Sequence, residues 1–272
     1  MEIRNLSGYS TDKIVQCLLS AFENYFVRLP ISVEYWENRF TAARVDRSLC
    51  FGMFEEDKLV GFIINGIDHH EGKLTAFNSG TGVLPAYRGK GIVDDLYAHA
   101  LPLFRERGVQ KCMLEVIQEN ERALKVYRRI GFKVKRSLTS WKGILPDAPE
   151  NFSLKKVDFQ KIFDHGLYRS HLYSWDNMAE AVLLSEATKD TFLVLDEKET
   201  VKGYFTVGAG GQVAQLMAVR EEDLSAVVKS LARLSHEIKF GNIPQERENL
   251  LNILESLDFE NTVNQYEMEL DF

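Results

Sequence analysis

Cysteine is scarce in this chain. Only Cys17, Cys50 and Cys112 occur in 272 residues, far apart and each among apolar neighbours. That scarcity excludes a disulfide-built scaffold, and no Cys/His spacing matches a metal site. Buried free thiols are expected instead. His69-His70 is the one tempting pair, but it sits in Ile-Asp-His-His-Glu-Gly-Lys, which reads as a solvated hairpin turn. No metal is expected. Long apolar runs are missing as well, since nothing approaches the ~20 residues that span a bilayer. The opening Met-Glu-Ile-Arg-Asn-Leu-Ser lacks the apolar core of a secretion signal. No membrane partner is expected, and the expected location is cytoplasmic.

What is present is ordinary for a globular protein, with 45% hydrophobic and 27% charged residues. A length of 272 residues exceeds the usual single domain, so two domains are expected. The net charge of −7 conceals an asymmetry. Residues 1–143 hold 21 Lys and Arg against 17 Asp and Glu, giving +4, whereas residues 144–272 hold 12 against 23, giving −11. A basic first half suits an anionic ligand, and an acidic second half argues against nucleic acid as a partner. Between them Ile144-Leu-Pro-Asp-Ala-Pro-Glu-Asn151 reads as a linker, placing domains at 1–143 and 152–272.

The most informative stretch is Thr81-Gly-Val83-Leu-Pro-Ala-Tyr-Arg88-Gly89-Lys90-Gly91-Ile92-Val93. Two glycines around a cation, between a strand and a helix, make a phosphate cradle. Gly89 and Gly91 allow a tight turn and bring N–H groups close to a ligand. Those donors and the positive end of the next helix suit a diphosphate, with Arg88 and Lys90 adding full charge. Some thirty residues later comes Asn120-Glu-Arg-Ala123-Leu-Lys-Val-Tyr127-Arg-Arg-Ile-Gly131-Phe132. Ala123, Val126, Tyr127 and Ile130 share one helical face, and Gly131 ends the helix.

Around these motifs the first half reads as strand 2–6, helices over about 11–25 and 32–43, and strands 49–54, 59–67 and 75–84. The glycine loop and its helix follow, stopping at Gly108, then strand 112–117 and the Asn120 helix. The order strand, glycine loop, helix, strand, Asn, helix, Gly-Phe, strand resembles the GCN5-related N-acetyltransferase (GNAT) family over roughly residues 1–143. The resemblance implies an α/β fold with a mixed, mostly antiparallel central sheet flanked by helices, here in two tandem domains. It also implies acetyl-CoA as cosubstrate and an amine acceptor, either a small molecule or a peptide.

By that resemblance the backbone of Thr81 and Val83 would pair with the pantetheine arm. N–H groups around Gly89, Gly91, Ile92 and Val93 would take the pyrophosphate, aided by Arg88 and Lys90, and Asn120 would hydrogen-bond the arm. Tyr127 would be the general acid for the departing thiolate, since a phenol of pKa ~10 is protonated at neutral pH. Packing on the apolar helix face is its other reading. Val93 departs from the motif's final small residue, and it could turn inward with its helix. No carboxylate lies on the strand 76–83, so the base is left open: Glu115 on the next strand could serve, or be only a solvated or salt-bridged residue, and a water chain or an acceptor that arrives neutral would do as well. Phe22, Tyr25, Phe26, Tyr35, Trp36 and Phe40 could form an acceptor wall or simply core.

The second half repeats the grammar more weakly. Lys202-Gly203-Tyr204-Phe205 echoes Val60-Gly61-Phe62-Ile63, a strand 213–219 and a helix 221–236 follow, and Leu257-Asp258-Phe259 stands where Ile130-Gly131-Phe132 stood. Its cradle is gone, because Val219 is followed by Arg-Glu-Glu-Asp, whose carboxylates would repel a phosphate. This half is expected to be degenerate, shaping the acceptor pocket or forming a homodimer contact. A non-catalytic acyl-CoA-binding module is the alternative to an enzyme.

Overall fold

The computed structural model describes residues 1–23 and 26–272, which fall into two compact units, 1–135 with 267–272, and 136–266. In the first unit come β1 (Glu2–Asn5), α1 (Thr11–Ala21), α2 (Val33–Ala42), β2 (Phe51–Glu55), β3 (Lys58–His70) and β4 (Lys73–Val83). They are followed by α3 (Ile92–Glu106), β5 (Lys111–Ile117) and α4 (Glu121–Ile130). β1 to β4 pair antiparallel in chain order, and β4 then pairs in parallel with β5. Helix α1 starts at Ser10 and α2 at Ser32; each serine accepts a hydrogen bond from the backbone three residues on. Helix α1 ends at Ala21, earlier than expected, and Tyr25 lies outside the described residues. Its apolar face, Ile14, Val15, Leu18 and Ala21, packs with Trp36, Phe40, Phe54, Phe62 and Ile64. Trp36 and Phe40 are therefore core.

The second unit begins inside β6 (Lys133–Ile144) and continues with β7 (Phe152–Val157), α5 (Gln160–Asp164), α6 (Ala179–Leu183), β8 (Lys189–Asp196) and β9 (Val201–Gly208). It goes on through β10 (Gln212–Ala218), α7 (Leu224–Ser230), β11 (Glu237–Pro244), α8 (Glu248–Ser256) and β12 (Glu260–Asp271), whose last residues belong to the first unit. β7 to β10 pair antiparallel, β10 and β11 in parallel, and β11 antiparallel with β6. The helix expected over 221–236 is shorter, with 3-10 turns at 221–223 and 231–233 around α7. Both units thus have mixed, mostly antiparallel sheets.

The units divide at different points from the expected 1–143 and 152–272. The strand after Gly131-Phe132 enters the second unit from Arg136 on, where Leu138 to Ile144 pair with Pro244 to Glu237. The supposed linker is packed too. Leu145 is buried, its N–H donates to the His236 carbonyl at 2.8 Å, and its own carbonyl lies 2.9 Å from His236 Nδ1. The two prolines at 146 and 149 mark a turn within the unit, not a boundary.

Residues 267–272 complete the first unit beside β5. The Phe272 N–H donates to the Gln110 carbonyl, and Lys73 reaches Asp271 at 2.9 Å. The buried Lys111 ammonium lies 2.9 Å from Glu269, 3.1 Å from His70 Nδ1 and 3.4 Å from Glu71. His70 is therefore buried at the end of β3, not in a solvated turn. His70, Glu71 and Glu269 are close enough to ligate a cation together, but a lysine already stands among them. All three cysteines are buried free thiols, and burial pushes Cys17 and Cys50 up to about 12.

Gly66 is where the segment after α2 crosses β3. A Cβ there would meet the Ala43 carbonyl oxygen at 2.0 Å, beside the Val45–Gly66 bridge. Gly66→Ala is expected to destabilise the first unit by about 1–3 kcal/mol, measured by urea unfolding.

Candidate functional site

The site originates in a break between two parallel strands. β4 and β5 pair from Thr75–Lys111 to Asn78–Leu114, and no pair beyond that is present among the described residues. Ser79 is an extra residue in β4, since Ile64 pairs with Gly80 and Asn65 with Asn78. This β-bulge bends the strand away. From Gly80 to Val83, β4 pairs with β3 alone. The Leu84 N–H donates to the Val60 carbonyl at 2.9 Å, so the peptide groups of Leu84 and Gly82 face β3. Those of Thr81 and Val83, by alternation, face the open side. The result is a cleft of about 770 Å³, lined by the end of α1, β4, the glycine loop, the start of α3 and one side of α4.

Of the expected ligand-binding residues and the expected acid, Thr81, Val83, Arg88, Gly89, Gly91, Ile92, Val93, Asn120 and Tyr127 line this cleft, and Lys90 does not. Gly89 and Gly91 have φ of +79° and +78°, and a Cβ at either would meet nothing within 4 Å. Conformation, not space, requires glycine there. Gly91 caps α3 without a side-chain hydrogen bond, which leaves the helix's first N–H groups for an anion. Arg88 is tied down, because Nε donates to the Val83 carbonyl at 3.2 Å and Nη2 to the Ala21 carbonyl at 2.7 Å. It braces the loop as well as charging it. Lys90 instead lies 4.9 Å over the Tyr87 ring. Val93 does not turn inward; the buried face of α3 is Ile92, Leu96, Tyr97, Ala100 and Phe104, and Val93 is half-buried in the cleft wall.

Asn120 caps α4, its Oδ1 accepting from the Ala123 N–H at 3.2 Å, so a ligand would be met by its Nδ2 group. Tyr127 is 8% exposed, its ring held edge-to-face by Tyr97 and Phe132. Ala123 and Val126 line the cleft, while Leu124 turns to the interior with Tyr127. Phe22 and Phe26 also line it, and Phe26 is 56% exposed. Glu115 on β5 is not among the lining residues.

Sequence reasoning missed Asp94 and Arg129. The Arg129 guanidinium holds Asp94 bidentately at 2.7 and 2.6 Å, tying α3 to α4 across the cleft mouth, and both residues line it. Arg129's hydrogen bonds hold the Asp94 carboxyl below its ordinary range, against a smaller desolvation effect. An acidic residue in the first turn of α3 and an arginine-rich end of α4 were the available signal. Arg122 and Lys125 add further cations on the α4 side.

The second unit contains a counterpart that is filled. Ala218 pairs with Gly203 as Val83 pairs with Gly61, and the Val219 N–H donates to the Lys202 carbonyl as Leu84 does to Val60. Leu216 is thus the equivalent of Thr81. Its carbonyl accepts from Arg247 Nη2 at 2.7 Å and from the Tyr173 hydroxyl at 3.5 Å. Arg247 is the capping residue of α8, as Asn120 is of α4. Burial lowers its pKa, with the phenols of Tyr173 and Tyr204 opposing the shift. The Phe259 N–H donates to the Leu254 carbonyl at 3.0 Å, as Phe132 does to Tyr127, so a buried leucine stands in the phenol's place.

The model of the acetyltransferase (GNAT) family matches residues 12–132. An N-alpha-acetyltransferase of Arabidopsis thaliana, MAK3, is 33% identical over 84 residues, covering 31% of this chain and 44% of its own. The chain spans about half the length of the curated relatives it matches. The fold is similar throughout to a putative acetyltransferase from Pyrococcus horikoshii, with TM-score 0.71, 17% identity, and coverage of 100% of this chain and 89% of that one. A tandem GNAT protein from the clavulanic acid biosynthesis pathway gives TM-score 0.71 at 14% identity, covering 99% and 98%. No helix among the described residues is long and apolar enough to cross a membrane.

The Asp94–Arg129 pair has a pH signature. A carboxylate depressed in the folded state contributes stability above its unfolded pKa of ~3.9 and loses it as pH falls through the lower folded value. Arg129→Ala should therefore lower the urea midpoint at pH 7, and the difference from the parent should shrink as pH falls below the ordinary aspartate pKa of ~3.9.

Proposed function

We propose that the first unit, whose residues 12–132 match the model of the acetyltransferase (GNAT) family, transfers an acetyl group from acetyl-CoA to an amine. The observation carrying the proposal is the convergence of the glycine loop, the open edge of β4, Asn120 and Tyr127 on one cleft. The residues fit the cosubstrate. Peptide groups of Thr81 and Val83 are presented as a strand edge for an amide-bearing arm, and the cap of α3 presents donors to a diphosphate. Acetyl-CoA supplies the activated acyl group as a thioester.

The chain's own groups then orient and move protons. The amine nitrogen attacks the thioester carbon, so a C–N bond forms and the C–S bond breaks. Tyr127 gives its phenolic proton to the departing sulfur, and the proton shed by the attacking amine restores the phenol. Backbone N–H groups on the open edge of β4 meet the carbonyl oxygen as charge gathers there. Phe22 and Phe26 line the same cleft and give the acceptor an apolar wall. The Arabidopsis relative's name supports N-acetyl transfer, and the acceptor is an amine of a small molecule or peptide. The second unit holds no cofactor, because Arg247 fills the slot, Leu254 replaces the acid, and Arg-Glu-Glu-Asp replaces the cradle.

Calorimetric titration with acetyl-CoA should give one site per chain. Tyr127→Phe should lower thiol release with a panel of primary amines by about 100-fold or more, while acetyl-CoA affinity stays within about threefold. Binding without thiol release by the parent on any amine would instead support a non-catalytic acyl-CoA module. Two binding sites per chain would overturn the assignment of the second unit.

A further inference from the structure

At the α1 side the cleft wall is aromatic. Phe22 and Phe26 line it beside Ala21, and Phe26 is 56% exposed. The chain that follows carries two more exposed apolar side chains, Ile31 at 81% and Tyr35 at 44%. Apolar surface standing in water beside a cleft is stabilised when a second apolar group covers it.

Charge in the lining lies elsewhere. Its two carboxylates stand in the first turns of α3 and α4, where Arg129 holds Asp94 bidentately and Glu121 is 3.7 Å from Lys125 Nζ. With Arg88 and Arg122, cations outnumber carboxylates in the lining four to two. Glu23 and Glu115 are outside the lining, which holds no histidine among the described residues. Of its phenols, Tyr127 serves as the acid. Tyr87 donates to Glu55, a hydrogen bond that raises the Tyr87 pKa and keeps that phenol protonated. Among the described residues the lining thus offers no unpaired base for an arriving ammonium, and no cluster of carboxylates for a polyamine.

Resting on the acetyl-transfer reading, we infer that the acceptor is a weakly basic primary amine next to an apolar side chain, as in the α-amino group of phenylalanine or leucine derivatives, and that it enters already neutral. Its nitrogen then carries a lone pair on arrival, attacks the thioester carbon, and sheds one proton as the C–N bond forms. The apolar side chain covers Phe22 and Phe26. At pH 7.5 about a third of an α-amino group of pKa ~7.8 is neutral, against about one in a thousand of a lysine side chain at ~10.4. The cleft therefore selects α-amines over ε-amines with no contact that tells them apart.

Thiol release at saturating acetyl-CoA tests this with phenylalaninamide, glycinamide, Nα-acetyllysine amide and spermidine. At pH 7.5 kcat/KM should be highest for phenylalaninamide, by about tenfold or more over glycinamide, which has a like amine and no side chain. From pH 7 to 9 it should climb about 100-fold for the lysine side chain and less than about tenfold for phenylalaninamide, each following its own amine. Phe26→Ala should narrow the ratio of phenylalaninamide to glycinamide, a ratio that loss of folded protein does not move. A tripeptide beginning with phenylalanine, run beside the amide, distinguishes a chain terminus from a small molecule as the source of the amine, and the inference holds whichever is faster. Spermidine or the lysine derivative ahead at pH 7.5, glycinamide level with phenylalaninamide, or equal climbs with pH for both amines overturns the inference and leaves the transferase reading intact. No thiol release with any acceptor overturns both.

Discussion

Past Asn78 the peptide groups of Thr81 and Val83 face away from β3 and no longer reach β5. Backbone donors and acceptors are not left dry and unpaired, so a splay of this kind commits a fold to supplying a partner from solvent, a side chain or a ligand. The bulge at Ser79 creates that obligation at one point of one strand. Everything else in the first unit is arranged around it. Arg88 fixes the loop to the Val83 carbonyl, Gly91 starts α3 with open donors, and Asn120 starts α4 beside the same opening.

The two units answer the same obligation differently. In the first the gap stays open as a cleft. In the second Arg247 reaches into the equivalent gap and donates to Leu216, backed by a run of hydrogen bonds from Tyr173 to Tyr204 to Gln215 to the Asn177 carbonyl. A guanidinium is suited to this, since it carries several donors and is less strongly hydrated than an ammonium. The difference between the units is a substitution of partners, with the second satisfying internally what the first leaves open as a cleft.

Much of this was legible in the sequence, for identifiable reasons. The glycine loop and the Asn120–Phe132 helix are local patterns whose chemistry depends on short spacings, and they fold as read. Spacing alone cannot tell whether a cation such as Lys90 turns toward a ligand or over Tyr87, where it lies here. Asp94–Arg129 was missed because its partners sit 35 residues apart on separate helices. The units divide elsewhere than expected because the prolines at 146 and 149 look like a linker, whereas β6 already pairs with β11 before them. His70 shares the Lys111 ammonium with Glu269, almost two hundred residues away, which no local pattern reveals.

The return of residues 267–272 to the first unit has a bearing on how the protein is made. The motif-bearing helices and β1 to β5 emerge from the ribosome early, but the strand that flanks β5 follows only after residues 136–266 have been synthesised. Until then the outer edge of β5 is a template for any other extended chain. The Lys111 side chain meanwhile lacks the Glu269 carboxylate, the nearest of its acidic partners. The nascent first unit thus has an open strand edge until residues 267–272 arrive to cover it.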